Sequence, residues 1–223
     1  MVCTPHLPDY DEILVSRVRE VIDEVRAAVT DAGVDLTLLL GFEVDASVAA
    51  FADDEVLRSL TVEDSPGVIV LEMPYAGWPV YMDQAIFRLS TSGYKPVLAH
   101  PERNDLLQKS SEHLVTCIRA GAVGQATAAS LSGEFGRGPA QTLRRLLAEG
   151  LISLVASDAH AFRREGWTMV PMLDALADMV DEGARALLSD TNPGHLLAGE
   201  PLLPVSTGDP DTGWSRRLRR RRQ

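Results

Sequence analysis

The feature that most constrains this chain is an alternation. Short, continuous apolar runs are each followed by a stretch of helical periodicity. The runs occupy residues 36–40, 67–72, 96–99, 122–127 and 151–156, and residues 1–4 read as the end of another strand. Strands without polar alternation are buried on both faces, as in parallel sheets covered by helices. Helices are expected at 11–32, 84–91, 111–120, from Pro139 to Gly150, and at 168–188 with an interruption near Gly183. In the first of these, Leu14, Val18, Val21, Ile22, Val25 and Val29 are the expected buried face, and Gly33 is placed to end the helix. Residues 46–60 read as a helical or irregular connection, and 130–138 as a glycine-containing loop. The architecture predicted is α/β, either an open parallel sheet or a (βα) barrel.

The 223 residues are enough for one domain with a full core. No internal repeat or second domain is visible. Residues 1–202 read as the domain, and 203–223, rich in Pro, Gly, Asp and Ser before an Arg-rich end, read as a disordered tail. No apolar run is long enough to predict a membrane span, and residues 1–6 carry no basic-then-apolar signal pattern.

Charge is unevenly distributed. The chain has 21 Lys+Arg against 32 Asp+Glu. Six of the arginines (Arg216, Arg217, Arg219, Arg220, Arg221 and Arg222) lie at the C-terminal end, leaving 15 basic against 32 acidic residues elsewhere. So acidic a body argues against specific nucleic-acid binding. The Arg-rich end reads as solvated, with nucleic acid or anionic lipid as the alternative partner.

The two cysteines, Cys3 and Cys117, form no CxxC pair, which argues against a zinc finger or a redox motif. A reducing, cytoplasmic compartment fits. Nor does either begin a phosphate-cradling Cys–Arg loop, since the sixth residue after Cys3 is Asp9 and after Cys117 is Val123. Cys117 is expected to be a buried core thiol.

The chemistry lies where the strands end. The first strand ends at His6, and the second runs into Gly41-Phe42-Glu43. The third ends at Glu72, the fourth at His100, and the last clear strand runs into Asp158-Ala159-His160. In a (βα) barrel these positions share one face. The chain has 5 histidines, and three of them stand at such ends; His113 and His195 read as surface or capping residues. Imidazoles and carboxylates converging without cysteine suit Mn²⁺, Fe²⁺ or Zn²⁺. Such clusters activate water and neutralise phosphoryl oxygens. Arg103 closely follows His100, and its planar fork suits a pair of phosphate oxygens. Spacing alone leaves open a salt bridge from Arg103 to Glu102 or a neighbouring acid.

Taken in order, several segments resemble the PHP (polymerase and histidinol phosphatase) superfamily, and within it the bacterial metal-dependent tyrosine-protein phosphatases of capsule and exopolysaccharide regulation. They are Thr4-Pro5-His6, Gly41-Phe42-Glu43, Leu71-Glu72-Met73-Pro74, Ala99-His100-Pro101-Glu102-Arg103 and Ala156-Ser157-Asp158-Ala159-His160. Gln125 to Ser130, Phe135-Gly136 and Asn192-Pro193 also fit. The resemblance implies a distorted (βα)₇ TIM-like barrel. It implies a metal centre, most often manganese, held by His6, Glu43, Glu72, His100, Asp158 and His160. Arg103 would be the catalytic and phosphate-holding residue, and Arg163 or Arg164 a second substrate-binding arginine. It further implies attack by metal-activated water on phosphotyrosine in a protein partner, such as a bacterial tyrosine kinase.

The family's opening strand, with Asp-x-His-x-His and a following Asp-Asp-Gly, has no counterpart here. Roughly forty residues, about one βα unit with its loop, are expected to be missing through a late start codon or a truncation. Weaker metal binding, impaired turnover and an exposed, self-associating sheet edge are the expected consequences. Two other readings stay open: a PHP phosphoesterase for a small phosphomonoester, and a non-catalytic remnant.

Overall fold

The computed structural model describes residues 1–160, 169–177 and 179–206. The Arg-rich end and the candidates Arg163 and Arg164 lie outside the described residues.

The expected α/β alternation is present. Strands β1 (Val2–Cys3) and β2 (His6–Leu7) lead into helix α1 (Glu12–Asp31). Then come β3 (Leu39–Leu40), β4 (Glu43–Asp45), α2 (Ala46–Phe51), α3 (Asp54–Ser59), β5 (Val68–Glu72) and α4 (Met82–Thr91). Strand β6 (Lys95–Ala99) runs into a 3₁₀ turn, Pro101–Arg103, followed by α5 (Glu112–Arg119) and β7 (Val123–Thr127). After these stand α6 (Ala128–Ser132), α7 (Arg137–Ala148), β8 (Leu154–Ala156), α8 (Met169–Ala177), α9 (Glu182–Ala186), a π-helical stretch Leu187–Thr191, and α10 (Asn192–Ala198).

Six strands form one sheet in the order β2-β4-β5-β6-β7-β8, and every pairing is parallel. The β1–β3 pair extends its first edge backward. Pro5 and Gly41-Phe42 interrupt the two strand lines, yet Gly41 N–H still donates to Cys3 O and Glu43 N–H to Pro5 O. Among the described residues no ladder joins β2 to β8.

Alternate residues of each strand serve different cores. Leu7, Ile69, Leu71, Leu98, Ala126 and Val155 pack outward with the helices. Val68, Val70, Val97, Ala99, Val123 and Leu154 form a smaller inner core with Leu196 of α10 and Val62. Register carries the inner face across the sheet, since His6 pairs with Glu43, Glu43 with Val70, Val70 with Val97, and Val97 with Val123. Cross-strand partners share a face, so His6 and Glu43 stand on the inner side, and Glu72 continues the Val68–Val70 row.

Three local expectations are corrected. The buried line of α1 runs through Val15, Val18, Ile22 and Val29, while Leu14, Val21 and Val25 are exposed. The helix lies at the sheet's first edge, where one stripe faces the core and the second apolar line faces outward. Residues 130–138 are not a loop throughout: α6 carries the chain to Ser132, and Gly133 caps it in the left-handed conformation. The C-terminal helical region breaks around 180, before Asp181 caps α9, and Gly183 lies within that next helix.

Gly124 of β7 permits the closest approach in the sheet, because a Cβ there would overlap the carbonyl oxygen of Leu151. Backbone cannot move aside as a side-chain tip can. Gly124→Ala should therefore lower stability by about 1–3 kcal/mol, the usual cost of overpacking. Urea unfolding should read this as a lower midpoint at an unchanged slope.

Candidate metal centre

The parallel register delivers the C-terminal ends of the strands to one side. His6 of β2, Glu43 of β4 and Glu72 of β5 bring one donor atom each to within 4.8 Å of one another, an arrangement that could hold a metal ion. His6 Nδ1 lies 3.3 Å from Glu72 Oε2. From the opposite edge, past β8, His160 reaches across so that its Nε2 stands 3.2 Å from His6 Nε2. The sheet is thus curled enough for its first and last strand ends to touch.

His100 adjoins the centre through Glu43. It is buried, with Nε2 2.9 Å from Glu43 Oε1, and its Nδ1 has no hydrogen-bond partner. Asp158 joins the cluster through Arg103 and His160. Its Oδ2 accepts from Arg103 Nη1 at 3.2 Å and from Thr127 Oγ1 at 3.5 Å. Its carbonyl oxygen is 3.0 Å from His160 Nδ1. The structure brings all six strand-end residues and Arg103 into one connected cluster.

Two of these residues occupy backbone space that side chains seldom adopt. His100 has φ 37° and Asp158 has φ 50°. Left-handed conformations of this kind cost of order 1–3 kcal/mol and persist where the surroundings enforce them. Here the 3₁₀ turn after His100 and the hydrogen bond from His100 N–H to Gln125 O hold the first.

The donor set fits a divalent cation. Glu43, Glu72 and Asp158 gather at the mouth with one guanidinium, Arg103, in contact among the described residues. Arg103 pairs with Asp158, which leaves the negative charge of Glu43 and Glu72 for a cation to neutralise. The imidazole nitrogens of His6 and His160 face each other at 3.2 Å, and imidazole nitrogen is the commonest protein ligand for such ions.

Arg103 pairs with Asp158 and not with Glu102. Glu102 is instead fully buried, accepting from Thr127 N–H at 3.0 Å and Ser130 Oγ at 2.6 Å. Burial pushes its carboxyl above the usual range, against these hydrogen bonds. Glu102 thereby ties the loop after β6 to the start of α6, beneath Arg103 and Asp158.

Spacing did not reveal the aromatic surroundings. The Arg103 guanidinium carbon lies 4.7 Å from the Tyr75 ring centre and 4.0 Å from that of Phe135. Tyr75 also stacks on His100, with centres 5.7 Å apart and planes 14° apart. Burial pushes the Tyr75 phenol up, with Arg103 opposing, so the ring is neutral at ordinary pH. The one available signal was Tyr75 directly after the Glu72-Met73-Pro74 segment. His113 and His195 stand outside the cluster, the first stacked on Trp78 and the second bonded to Pro201 O.

A curved parallel α/β sheet with a histidine–carboxylate cluster at its strand ends, and an arginine beside it, defines the class of architecture. The chain belongs to the CpsB/CapC family of capsular polysaccharide synthesis proteins, which it matches over residues 1–198. It is 34% identical over 143 residues to the tyrosine-protein phosphatase YwqE of Bacillus subtilis (strain 168), a stretch covering 64% of this chain and 56% of that protein. To CapC of Staphylococcus aureus it is 28% identical over 167 residues, 72% of this chain and 63% of CapC. The chain thus spans less than two thirds of either relative. A crystal structure from work on YwqE and on CpsB from Streptococcus pneumoniae, described as metal-dependent tyrosine phosphatases, superposes with a TM-score of 0.76. That likeness has 27% identity and covers 87% of this chain and 78% of that one.

Neither cysteine is part of the cluster. Cys117 of α5 is buried, and burial with Asp83 nearby pushes its thiol up to about 12. A thiol so protonated is a poor nucleophile. In a Cys3→Ser variant, brief iodoacetamide treatment at pH 8 should leave Cys117 unmodified by mass spectrometry until the chain is denatured.

Proposed function

We propose that this chain is a metal-dependent protein-tyrosine phosphatase acting in capsular or exopolysaccharide regulation. The observation that carries the reading is the meeting of six imidazole and carboxylate side chains with an aromatic-braced arginine at one mouth, in a member of this family. His6, Glu43, Glu72, His100, Asp158 and His160 are the proposed ligands, and Mn²⁺ the proposed ion, with Fe²⁺ or Zn²⁺ as substitutes. A divalent ion held there supplies an acidified water and neutralises charge on a phosphoryl group.

The chain's own residues do the rest. Arg103 presents a planar fork to two phosphoryl oxygens, and Asp158 and the two rings fix its direction. A donor already aimed when charge develops stabilises the transition state without reorganising. His160, with half of its side chain exposed, stands at the rim where a protein-borne phosphotyrosine would enter. The natural partner is proposed to be a phosphotyrosine protein such as a bacterial tyrosine kinase, met in the cytoplasm. Among the described residues no helix is long and apolar enough to cross a membrane.

The test is phosphate release from a phosphotyrosine peptide by the Mn²⁺-loaded chain. Release should stop on adding a chelator and persist after thiol alkylation. Preference for a small phosphomonoester over the peptide would instead favour a small-molecule phosphoesterase. Arg103→Ala should cost about 2–4 kcal/mol of transition-state stabilisation, the range for losing one preorganised donor, with metal content by elemental analysis nearly unchanged. Asp158→Ala should lose metal and turnover together; retained metal would remove Asp158 from the ligand set.

A further inference from the structure

The cluster accounts for a phosphate but not for the group esterified to it. Tyr75 is the feature left over. Its backbone is firmly held: Tyr75 O accepts from Asp105 N–H at 2.9 Å, and the buried Asn104 amide donates to Pro74 O at 2.7 Å and Gly77 O at 2.9 Å. Gly77 N–H in turn donates to Asp105 Oδ1 at 2.8 Å. The loop bearing Tyr75 and the loop bearing Arg103 are therefore one hydrogen-bonded block. Despite this anchorage, Tyr75 is 51% exposed. Arg103 lies over the ring and His100 stacks on it. The ring surface that these leave open to solvent, beside the guanidinium, is placed to meet a ligand at its edge or remaining face.

Phe135 stands differently. It is only partly exposed, in the turn between α6 and α7, and its ring centre is the closer of the two to the guanidinium. It braces Arg103 from the side of the α6–α7 segment. Both rings lie within the roughly 6 Å at which a cation and an aromatic face attract.

We propose that Tyr75 is a specificity-determining residue, the surface on which the aromatic ring of an aryl phosphoester packs while Arg103 holds its phosphate, and that Phe135 is a positioning residue for Arg103. This rests on the phosphatase reading and deepens it. A phosphate gripped by Arg103 keeps its ester oxygen close to the guanidinium. The first ring beyond that oxygen then falls within reach of Tyr75, whose centre is 4.7 Å from the guanidinium carbon. An alkyl ester offers no flat face to pack there. Aromatic pairing of this kind is worth about 2- to 12-fold in affinity.

The test uses two ligands that cannot be hydrolysed, phenylphosphonate and methylphosphonate, titrated calorimetrically into the Mn²⁺-loaded full chain. The unaltered chain should prefer the phenyl compound. Tyr75→Ala should weaken phenylphosphonate about 2- to 12-fold and leave methylphosphonate nearly unchanged, while Tyr75→Phe should behave as the parent. Phe135→Leu should weaken both ligands alike. Equal loss of both ligands in Tyr75→Ala, or unchanged phenylphosphonate binding, would overturn the assignment by making Tyr75 a mere brace. Phenyl preference that depends on Tyr75 without any ester hydrolysis would sink the phosphatase reading but keep the aryl site. Binding of neither compound would overturn both.

Discussion

Everything in the mouth depends on the curl of one parallel sheet. Parallel strands all end on the same side, which places His6, Glu43, Glu72 and His100 along one rim. That alone would spread them in a row across the sheet. Twist and curvature convert the row into a ring, so that His160, after the last strand, reaches His6 on the first. The inner core is small, mostly valines with Ala99, Leu154 and Leu196, which suits an inner face that closes over a short radius. The bulkier side chains Phe42, Leu71, Leu98 and Met73 lie on the outer face, where they meet the helices.

Local conflicts collect at that ring and are compensated around it. Two non-glycine residues of the cluster adopt left-handed backbone, two carboxylates, Glu43 and Glu72, approach one another beside His6, and a histidine nitrogen is buried without a partner. Each would be unfavourable alone. The loop after β6 is accordingly bonded in several directions, through Glu102 to the start of α6, through Asn104 to the Tyr75 loop and through His100 to β7. Such bonding holds polar groups in place where a purely apolar core could not. A cation would relieve the remaining repulsion, which is why the donor geometry and the charge point to the same ligand class.

The match to the CpsB/CapC family spans residues 1–198, strands and helices alike. The segments that carry the resemblance are largely strand ends and the turns that follow them, whereas the helices contribute apolar side chains to the outer core. Arg103 illustrates the point. Its neighbour in sequence, Glu102, is turned down into the fold, and its ion-pair partner Asp158 comes from a different strand end.

The amino-acid sequence determined by itself the α/β alternation, the parallel sheet and the candidate donors. Each of these depends on periodicity or on position relative to a strand end, and both are local properties. It was less informative for α1, where two apolar lines, through Val15 and through Leu14, compete for one core. It missed α6, where small and polar residues around Gly133 look like a loop. Only the tertiary structure decided which acid partners Arg103, how far the sheet curls, and that Tyr75 and Phe135 flank one guanidinium. Those outcomes join residues from separate βα units. No spacing encodes them, because they follow from the packing of the whole sheet.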